Sequence, residues 1–209
     1  MPIVNPIDAS SAPLLLRHLF EGDDPGPIVG TLAQVPELCE PALPFLGAVL
    51  GPSGVSLRQK EIAILRTSAN LGCRFCTDGH TVVAADSGLT LAEVRALREC
   101  PTAQEVFEDP DEQALVVWID AISTERGWVD PAVTDAALAA VGEAKLVELT
   151  MTIGATMMLA RFASAFQLPQ PDELYERLGG LGIDPMPEPP ARPVVSDTGT
   201  LVTITRRTS

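Results

Sequence analysis

Two capping boxes bracket residues 56–93. Ser56-Leu57-Arg58-Gln59 and Thr90-Leu91-Ala92-Glu93 each put a hydroxyl before a helix and a Gln or Glu three residues later. That pairing satisfies two backbone N–H groups reciprocally and fixes where a helix starts. Between the boxes, Asn70-Leu71-Gly72 makes a break, and Gly88 suits the left-handed turn that ends a helix. The segment is therefore expected to fold as three successive helices, over 57–70, 73–87 and 91–99. The apolar face of the first includes Leu57, Ile64 and Leu65, and it also carries Glu61.

Helical punctuation continues on both sides. Leu14–Phe20 predicts a short helix, followed by a Gly/Asp/Pro-rich loop over 22–27. The apolar stretch 28–50 is interrupted by Pro36, Pro41 and Pro44, which predicts two short helices. Asp109 or Asp111 is expected to open a helix through Trp118 to about Arg126. Asp130-Pro131 caps the next, which ends at Gly142, and 143–166 reads as one long apolar helix. Prolines crowd 169–193, and Val194-Val195 and 201–205 flank a turn suited to a short β-hairpin. The fold class is all-α, with a Pro-rich C-terminal arm. The domain reading is an N-terminal arm and short helix over 1–26, a helical domain over 27–168 and a C-terminal extension over 169–209.

Composition narrows the partners. The 28 acids outnumber the 14 bases, giving a formal charge of −14. Nucleic acid and anionic membranes select basic faces, so both are excluded as direct partners. No uninterrupted apolar run is long enough to span a bilayer, and the N-terminus lacks a basic segment followed by an apolar one. A cytoplasmic location is the expectation, where cysteines are rarely structural disulfides. Aromatic residues are only 4%, so the core must be aliphatic.

The chemistry concentrates in Glu61 to Gly88. Cys73-Arg74-Phe75-Cys76 places two thiols three residues apart, and His80 follows four after Cys76. On a helix these three side chains share a face. Thiols in a first helical turn sit among unpaired N–H groups that favour a thiolate, and the thiolate is the nucleophile. His80 is placed to move a proton, and a buried Glu61 to orient it. The pattern alone is open to three readings: redox chemistry, a zinc site or packed core cysteines. Cys-x2-Cys-x3-His supplies three zinc ligands, with His18, Cys39 and Cys100 as spare soft groups. Glu61 has a bland reading too, as partner of Arg66 or Arg161. Cys39 and Cys100 read as packing residues, His18 as a surface group, and Trp118, Trp128, Met151, Met157 and Met158 as core or subunit contact.

The constellation Glu61, Cys73, Cys76 and His80, followed by an Ala-rich turn and Gly88-Leu89-Thr90 with Glu93, resembles the alkylhydroperoxidase D-like (AhpD-like) and carboxymuconolactone decarboxylase superfamily. Leu146-Val147-Glu148 through Arg161-Phe162 is similar to that family's later helix. The resemblance covers 27–168. It implies a helical bundle that assembles as a dimer, trimer or hexamer. It also implies a peroxidase-type oxidoreductase cycling a Cys73–Cys76 dithiol and disulfide, with a small hydroperoxide as substrate and an external thiol reductant. No other cofactor and no metal are implied. Carried over residue by residue, Cys76 is the attacking thiol, Cys73 the resolving thiol, and His80 with Glu61 the proton relay. Phe75 stands where the peroxidase branch carries a second histidine.

Two alternatives accompany that expectation. One is a decarboxylase-like lyase or isomerase acting on a small lactone or keto acid, with Glu61 and His80 as acid and base. An acidic substrate would need a cation, and Arg58, Arg66, Arg74 and Arg161 are the candidates. The other is a non-enzymatic oligomer that senses redox state or metal.

Overall fold

The structure is a computed structural model that describes residues 2–22, 24–124, 128–188, 194–195 and 201–202. The N-terminal arm leads through a 3-10 turn, Leu14–Phe20, into α1 (Gly26–Leu32) and α2 (Pro36–Leu50). Then come α3 (Leu57–Asn70), α4 (Arg74–Asp86), α5 (Leu91–Glu99), α6 (Pro110–Thr124) and α7 (Pro131–Val141). The long α8 (Glu143–Phe166) and the short α9 (Asp172–Gly180) follow. Val194–Val195 and Leu201–Val202 pair antiparallel, with Val194 opposite Val202. The all-α expectation holds.

Both capping boxes form as the sequence predicts. Ser56 accepts from the Gln59 N–H and Thr90 from the Glu93 N–H, each with the reciprocal bond. Asp130 caps α7, with Pro131 at its first position. Gly72, Gly88 and Gly142 all adopt positive φ at helix ends, at +63°, +89° and +79°. The core is aliphatic, built from Leu, Ile, Val and Ala with Phe107 and Trp118. Trp128, by contrast, is 74% exposed.

The expectation about the prolines of 28–50 is corrected. Pro41 and Pro44 do not break the chain, because α2 runs through both. Each proline removes one N–H, but the carbonyls left without a donor belong to Glu37 and Glu40, both on the exposed face. The helix is retained by the opposite face, where Cys39, Leu46 and Val49 are buried. α8 forms as the one long apolar helix expected over 143–166. Its length and composition would suit a membrane span. Here it packs against α2, α3, α4, α6 and α7, burying Leu146, Leu149 and Ile153.

α3 is the centre of the molecule. Every residue from Lys60 to Ser68 is buried, and α4, α5, α6 and α8 surround it. Sequence periodicity does not single out Lys60, yet its side chain is fully buried. The ammonium donates to the carbonyls of Val49 (2.9 Å) and Gly51 (2.5 Å) and pairs with Glu148 Oε1 at 2.8 Å. Ser53 bonds the same carboxylate. The last carbonyls of α2 thus receive a cation where the helix dipole is negative, and α2, α3 and α8 are joined at one point.

Lys60→Ala is expected to lower the unfolding free energy by roughly 3 kcal/mol, from the cavity and the stranded carbonyls. Lys60→Met restores volume but no donor, so it should recover only part of that loss. Denaturant titration of both variants checks this. A Lys60→Met protein as stable as wild type would mean that the ammonium contributes nothing.

Candidate active site

The turn between α3 and α4 builds the site. Gly72 in left-handed conformation lets the chain reverse, and Cys73 N–H donates to Ser68 O at 3.0 Å. Cys73 is therefore the N-cap of α4, with extended backbone (φ −79°, ψ 96°), and not its first helical residue as the spacing suggested. Its sulfur acts as the cap, accepting the Cys76 N–H at 3.2 Å. The thiol of Cys76 lies 2.8 Å from the same sulfur. Cys73 is fully buried, whereas Cys76 is 7% exposed.

One turn further along α4, His80 Nδ1 meets Glu61 Oε2 at 2.9 Å. Glu61 reaches it from α3, where it is only 3% exposed. The His80 side chain is 31% exposed, so the pair runs from the core toward solvent. All four residues singled out from the sequence are thus brought to one α3–α4 junction. The alternative partners for Glu61 are otherwise placed. Arg66 binds Asp120 through two nitrogens (2.5 and 2.9 Å) and caps α5 by donating to Leu97 O and Cys100 O. Arg161 is exposed on α8.

The two sulfurs hold their protons unequally. The Cys73 thiol is lowered from 9.0 to about 7, mainly because Cys76 donates a hydrogen bond to it. The Cys76 N–H, the Ser164 hydroxyl and the charge of His80 act in the same direction, while burial opposes them. Cys76 is pushed up, first because its proton is held against Cys73 and then by burial. The arrangement thus favours the charge on Cys73 and the proton on Cys76. One sulfur carries the charge and the other the proton.

The spare zinc candidates are elsewhere. Cys39 packs with Ala12, Leu16 and Phe20, His18 is exposed on the N-terminal turn, and Cys100 ends α5. Among the described residues, no group of three His, Cys, Asp or Glu is disposed to hold a metal. Three of the four cations considered for an acidic substrate, Arg58, Arg66 and Arg74, have partners, whereas Arg161 is exposed. Arg58 is held by Glu93 (2.5 Å) and Glu112 (2.7 Å), and Arg74 lies 5.4 Å from the Tyr175 ring centre and 3.7 Å from Asp78.

Two features escaped sequence reasoning. Asp78 is fully buried, two residues after Cys76, where it takes the Met186 N–H at 2.9 Å and Arg98 at 3.4 Å. Gln170 donates its amide to Phe75 O at 2.5 Å. Both tie the segment after α8 to the thiol-bearing helix. No local motif announces a bond between residues so far apart in the chain.

Residues 36–103 match the model of the carboxymuconolactone decarboxylase family. No curated protein matches the sequence. The debrominase Bmp8, solved in complex with 2,3,4-tribromopyrrole, is similar with a TM-score of 0.70 and 18% identity, over 86% of this chain and 97% of that one. An alkylhydroperoxidase AhpD core, an uncharacterized peroxidase-related protein from Ralstonia eutropha JMP134, also gives 0.70, at 15% identity over 83% and 94%. A third similar structure is an Agrobacterium tumefaciens protein of unknown function, proposed to be the antioxidant defence protein AhpD. It gives 0.59 at 26% identity, over 67% and 94%. The fold is thus AhpD-like.

Ultraviolet thiolate absorbance of the reduced protein is expected to report one thiolate per chain with a midpoint near pH 7. Cys73→Ser should remove it. Because the folded Cys73 value lies below the ordinary one, its contribution to the reduced fold grows as pH rises from about 7 toward 9.0 and is lost as pH falls through about 7, while above 9.0 the raised Cys76 thiol works against it. A single midpoint at the ordinary thiol value would refute the shared-proton arrangement.

Proposed function

We propose that this chain, a member of the AhpD-like and carboxymuconolactone decarboxylase superfamily, is a dithiol-dependent peroxidase-type oxidoreductase. The observation that carries this is the sulfur pair at 2.8 Å, one sulfur holding a helix N-terminus, beside a buried Glu–His pair. Two adjacent thiols able to close a disulfide supply two electrons. A lyase has no use for them.

The steps balance from the resting state with a Cys73 thiolate, a Cys76 thiol and a proton on His80. A hydroperoxide approaches Cys76, the less buried of the two cysteines. Cys76 attacks the distal oxygen while its proton passes to Cys73, which acts as the base. The O–O bond breaks, and the alkoxide leaves with the proton from His80. Cys76 is now a sulfenic acid. Cys73 attacks its sulfur, and its proton leaves with the hydroxyl as water. The products are an alcohol, water and the Cys73–Cys76 disulfide, which an external thiol reductant reopens by exchange. Glu61 keeps His80 oriented through the first step.

The family-model match keeps a second reading in view, in which Glu61 and His80 act on a lactone or keto acid without the thiols. The occupied arginines Arg58, Arg66 and Arg74 leave an acidic substrate without a free partner near the α3–α4 junction, which weighs against it. Reductive debromination is a third use of the same two electrons, and it differs only in the bond that the thiol breaks.

Self-association is part of the proposal. Val147, Met151 and Met158 lie at helical spacing on α8 and are 66%, 47% and 50% exposed. Leu38 and Phe45 on the neighbouring α2 are 63% and 41% exposed. An apolar surface of that kind is covered by a second copy more readily than by water.

Reduced protein is expected to consume one equivalent of an alkyl hydroperoxide and yield a mass-mapped Cys73–Cys76 disulfide. Cys76→Ser should abolish consumption. Cys73→Ser should stop at a trappable sulfenic acid, formed slowly. Glu61→Gln should lower kcat about a hundredfold. A Cys76→Ser protein with the full rate would overturn the assignment of the attacking sulfur. Turnover of a lactone after both thiols are alkylated would favour the lyase. Light scattering should give a multiple of 22.1 kDa that Met151→Glu reduces. A wild-type mass of 22.1 kDa would refute self-association.

A further inference from the structure

A cavity of about 810 Å³ lies between the N-terminal arm, the loop before α1 and the segment after α8. None of Glu61, Cys73, Cys76 and His80 lines it. Pro6, Ile7, Phe20, Pro27 and Pro169 form most of its walls. Its volume is in the range of small-molecule sites. The walls come from segments outside the family-model match at 36–103.

The cavity is built rather than incidental. Ile3 N–H donates to Phe166 O (2.9 Å), Ile7 N–H to Gly30 O (2.8 Å), and the Gln34 amide to Asn5 O (2.9 Å). Gly30 has no room for a Cβ, which would lie 2.8 Å from Ile7 O and 2.9 Å from Pro6 Cβ. Only glycine lets the arm lie so close. On the far wall, Gln170 lines the cavity and bonds Phe75 O, the carbonyl between the two cysteines. A Cβ on Gly79 would lie 3.0 Å from the Gln170 amide, so glycine on α4 makes room for that bond. Ile28 and Leu168, next in the chain to the lining residues Pro27 and Pro169, pack in the cluster that contains Cys73, Cys76 and Phe75. Residues flanking the cavity lining thus form part of the wall around the thiols.

The charge of the lining selects. Asp8 and Asp24 lie in it, and among the described residues no Lys, Arg or His does. Asp8 accepts from the N–H groups of Ser10 (2.9 Å) and Ser11 (3.1 Å) and from both hydroxyls. Those bonds hold its carboxyl below the usual range. Asp24 accepts the Gly26 N–H at 2.9 Å. Both carboxylates are engaged in shaping the loops, and both repel an anion. The amide of Gln170 is directed at Phe75.

We infer that this cavity binds neutral, apolar small molecules, rejects anions of the same size, and holds the organic part of the substrate against the thiol wall. The last clause rests on the peroxidase reading of the thiols; the binding and its charge selection do not. The probe is 2-phenyl-2-propanol, the alcohol formed from cumene hydroperoxide, with benzoate as the anionic counterpart. Amide shift perturbation on the wild-type protein should place the alcohol at Ile7, Ala9 and Gln170, with benzoate at least tenfold weaker. Ala9 is exposed at the mouth, so Ala9→Trp should fold, weaken the alcohol at least tenfold, and raise KM for cumene hydroperoxide by a similar factor. Perturbations elsewhere, equal binding of benzoate, or an unchanged KM in Ala9→Trp with peroxide still consumed would overturn the proposal and leave the peroxidase reading intact. Binding of the alcohol at these residues in a protein that consumes no peroxide would support the cavity and remove the peroxidase reading.

Discussion

Three charged side chains buried on one helix organise this molecule. Lys60, Glu61 and Arg66 all lie on α3, which is enclosed along Lys60–Ser68. A buried charge is tolerated only where a partner neutralises it and hydrogen bonds satisfy it. Each of the three therefore dictates what stands opposite. Lys60 requires the carbonyl end of α2 and Glu148 of α8. Arg66 requires Asp120 of α6 and the carbonyl end of α5. Glu61 requires His80 of α4. Two of these demands join structural helices. The third places a proton-handling pair next to a pair of thiols. The same constraint that locks the bundle also builds the site.

The sequence was most legible where physics is local. Capping boxes, a proline at a first helical position and glycines at helix ends act over three or four residues, and each formed where it stood. Glu61 on an apolar stripe was likewise a sound signal, because a carboxylate on a core face needs a reason. Prolines misled because their cost depends on which carbonyls lose a donor, and in α2 those carbonyls face water. Lys60 was missed because its neighbours in sequence do not show that the whole of α3 is enclosed. Gln170 was missed for a different reason. Its partner is Phe75 O, and nothing near residue 170 encodes a contact with a carbonyl on α4. The four site residues were identifiable by spacing, but the division of charge between the sulfurs was not. It depends on Cys73 being a cap rather than a helical residue, a difference of one position.

That one position has a chemical consequence. As N-cap, Cys73 lies outside the first turn, with its sulfur turned back onto the Cys76 N–H and thiol. A thiolate there is stabilised by the helix it caps, and Cys76 inside the turn keeps the proton. The fully buried sulfur is charged and the slightly exposed one is not. In isolation this would be a poor nucleophile and a wasted anion. In the proposed cycle they act as a nucleophile and its base, 2.8 Å apart.

The same division of labour accounts for Phe75. A histidine between the cysteines would supply a second proton carrier, and the resemblance places one there in the peroxidase branch. In the cycle proposed above, the proton from Cys76 has an acceptor in Cys73 and the leaving group a donor in His80, so that cycle leaves a second imidazole no task. What the position supplies instead is surface. The Phe75 ring packs with Ile28 and Leu168 in the cluster that contains both thiols, and its carbonyl anchors Gln170. Replacing that ring by a histidine would put a polar group into an apolar wall and expose the sulfur pair to a competing charge. The residue between the cysteines thus packs into the apolar cluster around them and anchors Gln170 through its carbonyl.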